Sequence, residues 1–182
     1  YFADWTHPDP KLRETYADLL AWSRIASRLW CYLYPNPWGT GACAPVGNIE
    51  RLVNTVRLMA AAGVECVHPD HNGHLQRAGL SELQVYLLAK LLQDVNGDPD
   101  AIVREFTDHQ YGAAAPLARR YLAELEQGRK AMRELPPGVT HSSPEFDDRT
   151  FPYLTPANIR RWQTWFDRMD RQVAEAPDRR LN

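Results

Sequence analysis

"IERLVNTVRLMAAAGVECV", residues 49 to 67, changes its hydrophobic rhythm part-way along. Ile49, Leu52, Val53, Val56 and Ala60 recur at the spacing of a helix that buries one side. Asn48 stands where an N-cap is expected, and Gly63 supplies the left-handed position that ends such a helix. Val64 to Val67 then follows at once as a short apolar run, which predicts a strand. Upstream, "LWCYLY" (Leu29 to Tyr34) is a second short run, stopped by "PNP". Between the two runs, residues 35 to 47 carry three Pro and three Gly and predict an irregular loop. Strand, helix and strand joined by a crossover of this length predict a parallel pair.

Working outward, Leu12, Tyr16, Leu19, Leu20 and Ile25 predict a helix from Pro10 to Arg28. Ser81 with Gln84 has the form of a capping box, flanked by Leu80 and Val85 as a hydrophobic staple, and that helix should run to about Gln93. Asp98-Pro99 opens another helix that ends near Gly112, and a further one covers roughly Ala115 to Arg133. After the long loop "LPPGVTHSSPEFDDRTFPYLTP", Thr155-Pro156 starts a last helix ending before Pro177. Its Trp162, Trp165, Phe166 and Met169 fall at i, i+3, i+4 and i+7, the pattern of a core-facing stripe.

Two parallel strands alone make a poor sheet, because both faces need cover. A complete (β/α)8 barrel takes about 250 residues, and this chain of 182 supplies at most two of its units. The expected fold is therefore α/β: the last βα units of a TIM-like barrel over residues 1–94, with a mainly α-helical extension over 95–182.

Composition narrows the function classes. Hydrophobic residues are 44% and charged residues 24%, so a globular core is expected. A net charge of −2 gives no footprint for nucleic acid, and no apolar run is long enough to span a membrane. Cys31, Cys43 and Cys66 form no CxxC pair, which argues against a zinc ribbon and leaves buried thiols as the simplest expectation. The opening "YFADWTHPDP" lacks the charged and apolar regions of a secretory signal and does not begin with Met, so an excised or processed segment is expected.

"SRLWCYLYPNP", "AAGVECVHPDHNGH", "ELQVYLLAKLLQD", "DPDAIVREFTDHQYGAAAPLARRYLAEL" and "LTPANIRRWQTWFDRMDRQV" resemble successive blocks of one family, catalogued as domain of unknown function 4838. Its relatives are the α-glucuronidase-like glycoside hydrolases. The series containing Tyr111, Gly112, Ala113, Ala114, Ala115 and Pro116 carries most of the resemblance. The resemblance implies the C-terminal portion of a longer, secreted or periplasmic, carbohydrate-active protein. It also implies catalytic carboxylates on earlier strands, outside this chain, for any hydrolysis of a glycosidic bond, including one to a uronic acid. "HPDHNGH" departs from the Gly- and Gln-containing turn expected at the end of the last strand.

Loops after the C-terminal ends of barrel strands build the active-site mouth. Position thus nominates Tyr34, Trp38, His68, Asp70 and His71 as substrate-binding residues: aromatic faces suit the C–H faces of sugars, and the polar groups suit their hydroxyls. Trp30 and Tyr32 are expected to serve packing instead. The expected partners are a carbohydrate ligand and the remainder of the parent polypeptide, with no cofactor. Two rival readings remain open. One is a metal site built from His68, Asp70, His71 and His74, although Pro69 and Asn72-Gly73 make this a loop and not the helical H-E-x-x-H arrangement. The other is a non-catalytic helical binding module. "DVNGDPDAIVRE" places Asp94, Asn96, Asp98, Asp100 and Glu105 at calcium-loop positions, but Pro99 stands where the turn demands Gly, so helix capping is the better explanation. Glu145, Asp147 and Asp148 read as solvated loop residues.

Overall fold

The computed structural model describes residues 5, 10–33, 35, 45–70, 80–131 and 151–176. In chain order these form α1 (Pro10–Ser23), β1 (Leu29–Leu33), α2 (Ile49–Ala61), β2 (Val64–Pro69), α3 (Ser81–Gln93) and α4 (Pro99–Tyr111). A single 3₁₀ turn (Gly112–Ala114) leads into α5 (Ala115–Ala131), and α6 (Pro156–Glu175) completes the set. The fold is mixed α/β and mostly helical, with one small sheet in which β1 and β2 pair in parallel. Helix α1 stops at Ser23 and not at Arg28, because residues 24 to 26 turn back onto the carbonyls of Ala21 and Trp22. Ile25 consequently leaves the predicted apolar side and is 75% exposed.

Among the described residues, the sheet is covered on one face. Strand alternation turns Leu33 and Cys31 toward Leu52, Val53, Val56 and Met59 of α2, with Leu87, Leu88 and Leu91 of α3 completing the same core. Burial of a Leu of this kind contributes roughly 1.5–3 kcal/mol relative to leaving it exposed. Trp30 and Tyr32 point the other way and stay 69% and 56% exposed. In β2 the register carries one extra residue: Leu29 pairs with Val64, whereas Trp30 pairs with Cys66. Glu65 is the surplus residue. It lets both Val64 and Val67 pack on the core, although a regular strand would send residues three apart to opposite faces.

Two helix starts follow the predicted chemistry and two do not. Asp98 accepts from the Asp100 amide at 3.0 Å, and Thr155 Oγ1 accepts from the Asn158 amide at 3.2 Å. Asn48, by contrast, makes no side-chain cap at α2. The α2 amides of Ile49 and Glu50 instead donate to the Glu126 carboxylate of α5, at 2.7 and 3.4 Å. A carboxylate there also suits the positive end of the helix dipole. Asn48 is drawn into a buried cluster: its amide donates to the Pro35 carbonyl (3.0 Å) and its oxygen accepts from Gln84 (2.9 Å). Arg51 donates to the same carbonyl at 2.7 Å. With Gln84 committed there, the capping box of α3 does not form; Leu80 precedes the helix in a left-handed conformation, and Val85 is 45% exposed, so the staple is missing as well. A buried carbonyl left without donors costs about 1–3 kcal/mol, more than an amide at a helix end that water can reach, so the long-range partner wins.

Helix α5 approaches the start of α2 so closely that only glycine fits at 47: a Cβ there would lie 2.4 Å from the Glu126 nitrogen. On the far side of α5, Leu125, Trp162 and Trp165 form a separate core, with Tyr121, Tyr153 and Leu154 packed against it. The stripe on α6 is thus buried at Trp162 and Trp165, while Phe166 sits at its rim, edge-on to Tyr121.

Candidate functional site at the strand ends

Parallel pairing brings the C-terminal ends of β1 and β2 side by side. Tyr32 faces His68 and Leu33 faces Pro69 in the register, and the Asp70 amide donates to the Leu33 carbonyl at 2.8 Å, extending the ladder by one rung. On the face that the helices leave open, the Tyr32 and His68 rings stack, with centroids 5.1 Å apart and planes 20° from parallel. The Tyr32 hydroxyl donates to Asp70 Oδ2. Asp70 is therefore held at both its backbone and its side chain. Trp30, opposite Cys66, lies two residues further back on the same face.

The result is a flat two-ring surface with a carboxylate at its edge. An aromatic face of this kind can cover apolar C–H groups, and an ionised carboxylate can only accept hydrogen bonds. Among the described residues no Lys or Arg forms an ion pair with Asp70. A surface pair, Arg28 with Glu65 at 2.7 Å, lies toward the start of the strands.

Of the residues nominated from sequence, His68 and Asp70 are brought together here. Tyr34, Trp38 and His71 lie outside the described residues, as do His74, Cys43, Glu145, Asp147 and Asp148. Tyr32, expected to serve packing, is instead the residue that joins the other two. Period-2 alternation groups Tyr32 with Trp30 on one face of β1, but does not say which face the helices cover. Cys31 and Cys66 are free thiols on opposite faces, and burial pushes the Cys31 thiol up. The acidic stretch after α3 is occupied with local bonds. Asp94 accepts from the Asn96 amide at 3.0 Å, Asp98 caps α4, and Glu105 pairs with Lys90 at 3.1 Å. Among the described residues no group of three or more His, Cys, Asp or Glu side chains is placed to hold a metal ion.

Residues 4–123 match the family model described as Domain of unknown function (DUF4838). The chain belongs to the DUF4838 family. The matched span runs from before α1 to the middle of α5, so it takes in the sheet, the strand-end residues and the helices that cover them; α6 lies beyond it. No curated protein and no solved structure matches the chain. DUF4838 membership leaves the chemistry of the strand-end trio to be argued from its own geometry.

Proposed function

We propose that this chain contributes two neighbouring βα units to a TIM-like (β/α)8 barrel, and that Tyr32, His68 and Asp70 line a carbohydrate-binding pocket at its mouth. Tyr34, Trp38 and His71, which follow these strands in sequence, would add to the same rim. The observation that carries the reading is the one-sided cover of the sheet. In a barrel, helices pack on the outer face and the inner face holds residues that fill the lumen or line the mouth. Here the outer role falls to the Cys31–Leu33–Val67 face, and the uncovered face carries Trp30, Tyr32 and His68. Two further strands, one on each side, would also satisfy the outer edges of β1 and β2.

Glycoside hydrolysis by the usual route needs two carboxylates flanking the scissile bond. Asp70 offers one group at the rim, so a hydrolytic parent protein would place the main acid and base on other strands. The chain's part is ligand contact. The α-glucuronidase-like relatives named by resemblance make a hydrolase the leading form of this proposal.

The test is a titration of the protein with methyl glycosides, monitored through tyrosine and histidine ring resonances. Saturable shifts at Tyr32 and His68, abolished in Tyr32→Ala, are the expected outcome. Saturable binding whose shifts fall on Tyr121 or Tyr153 of the helical part, leaving Tyr32 and His68 unmoved, would refute the pocket.

A further inference from the structure

We propose that Asp70 makes this strand-end site selective for a neutral polyhydroxylated ring over the same ring bearing a carboxylate. The inference rests on the carbohydrate reading above and adds the charge class of the ligand. It runs against the uronic acid that the family resemblance suggests.

The argument starts from how firmly the carboxylate is placed. The Asp70 amide is tied to the Leu33 carbonyl at 2.8 Å, and Oδ2 accepts from the Tyr32 hydroxyl. Among the described residues only Oδ2 is engaged, which leaves Oδ1 to accept from a ligand hydroxyl. A sugar ring laid on the Tyr32–His68 surface, whose centroids are 5.1 Å apart, would bring its equatorial groups to the edge where Asp70 sits. Hydroxyls in that position donate to the carboxylate, and such charge-assisted bonds are the strong kind. A ligand carboxylate in that position has nothing to donate and meets a like charge. Among the described residues no ion pair screens Asp70, and the Arg28 guanidinium is taken by Glu65 at 2.7 Å. Like charges about 5 Å apart at a wet surface repel enough to change affinity by roughly tenfold.

The experiment compares methyl β-D-glucopyranoside with methyl β-D-glucuronide at pH 8. Both are titrated into the wild-type protein, Asp70→Asn and Tyr32→Phe, with the Tyr32 and His68 ring signals as readout. The expected result is a preference of about tenfold for the neutral glycoside in wild type. Asp70→Asn, which keeps an acceptor for the Tyr32 hydroxyl, should bring the ratio to about one. Tyr32→Phe, which keeps the ring and the charge, should retain the preference. If both ligands bind at the trio and the glucuronide binds as well or better, the selectivity is wrong while the pocket stands. If neither perturbs the trio, both are overturned.

Discussion

Replacing Gly47 with Ala tests the joint between α2 and α5. The added Cβ would sit 2.4 Å from the Glu126 nitrogen, 2.5 Å from the Leu125 carbonyl carbon and 2.6 Å from the Glu126 Cα. All three are backbone atoms, so no side chain can swing away, and ordinary contact requires the segments to part by about 1 Å. That movement would stretch the 2.7 Å bond from the Ile49 amide to Glu126 beyond hydrogen-bonding range. Overpacking of this kind costs about 1–3 kcal/mol, and loss of a hydrogen bond to a charged group about 1.5–3 kcal/mol. Solvent can recover part of the second amount, so about 3 kcal/mol is expected in all, or a fall in Tm of about 6–12 °C. Gly63→Ala is the matched control. Its φ of +80° makes a side chain unfavourable by about 1–2 kcal/mol, but nothing lies within 4 Å of the new Cβ. Urea unfolding followed by tryptophan fluorescence, which reports on buried Trp162 and Trp165, measures both. A Gly47→Ala protein within 0.5 kcal/mol of wild type, or more stable than Gly63→Ala, would show that α5 does not press on the start of α2 as described.

Three other outcomes are expected. Leu87→Ala, at a residue with no exposed surface inside the core beneath the sheet, should cost about 2–5 kcal/mol by urea unfolding. Thr155→Ala removes the bond to the Asn158 amide and should cost about 1 kcal/mol, with Thr155→Ser restoring most of it. Alkaline titration should show stability falling between about pH 10 and pH 12: burial pushes the Tyr121 phenol up to about 12, so the folded chain keeps a proton that the unfolded chain has already lost. Below pH 10 this contribution is fully present, and Tyr121→Phe should flatten the decline; burial pushes Tyr153 in the same direction.

The parts of the fold that rest on local chemistry were legible in the sequence. Asp98-Pro99 and Thr155-Pro156 each combine a capping oxygen with a ring that pre-sets the first helical φ, and both open helices where expected. Gly63 takes its left-handed conformation because the chain must reverse from α2 into β2 within two residues. What was not legible depends on residues far apart in the chain. Asn48 and Gln84 are both good capping residues, and nothing local reveals that the Pro35 carbonyl will claim one and Asn48 itself the other. Glu126, which takes over the cap of α2, lies 77 residues away from Ile49. Of the candidate site, His68 and Asp70 were nominated from their place after a predicted strand. Tyr32 was not, since period-2 alternation sorts residues into two faces without saying which one the helices will cover.

The surplus residue in β2 acts as a parity switch. If Glu65 were accommodated in regular pairing, Val64 and His68, four residues apart, would be forced onto the same side of the strand, and the chain would have to give up either the valine's place beneath the helices or the imidazole's place beside Tyr32. A one-residue deletion at this point should therefore be tolerated, because Val64 and His68, then three residues apart, stay on opposite sides of a regular strand. Homologues that lose it are expected to keep the same positions of the strand apolar.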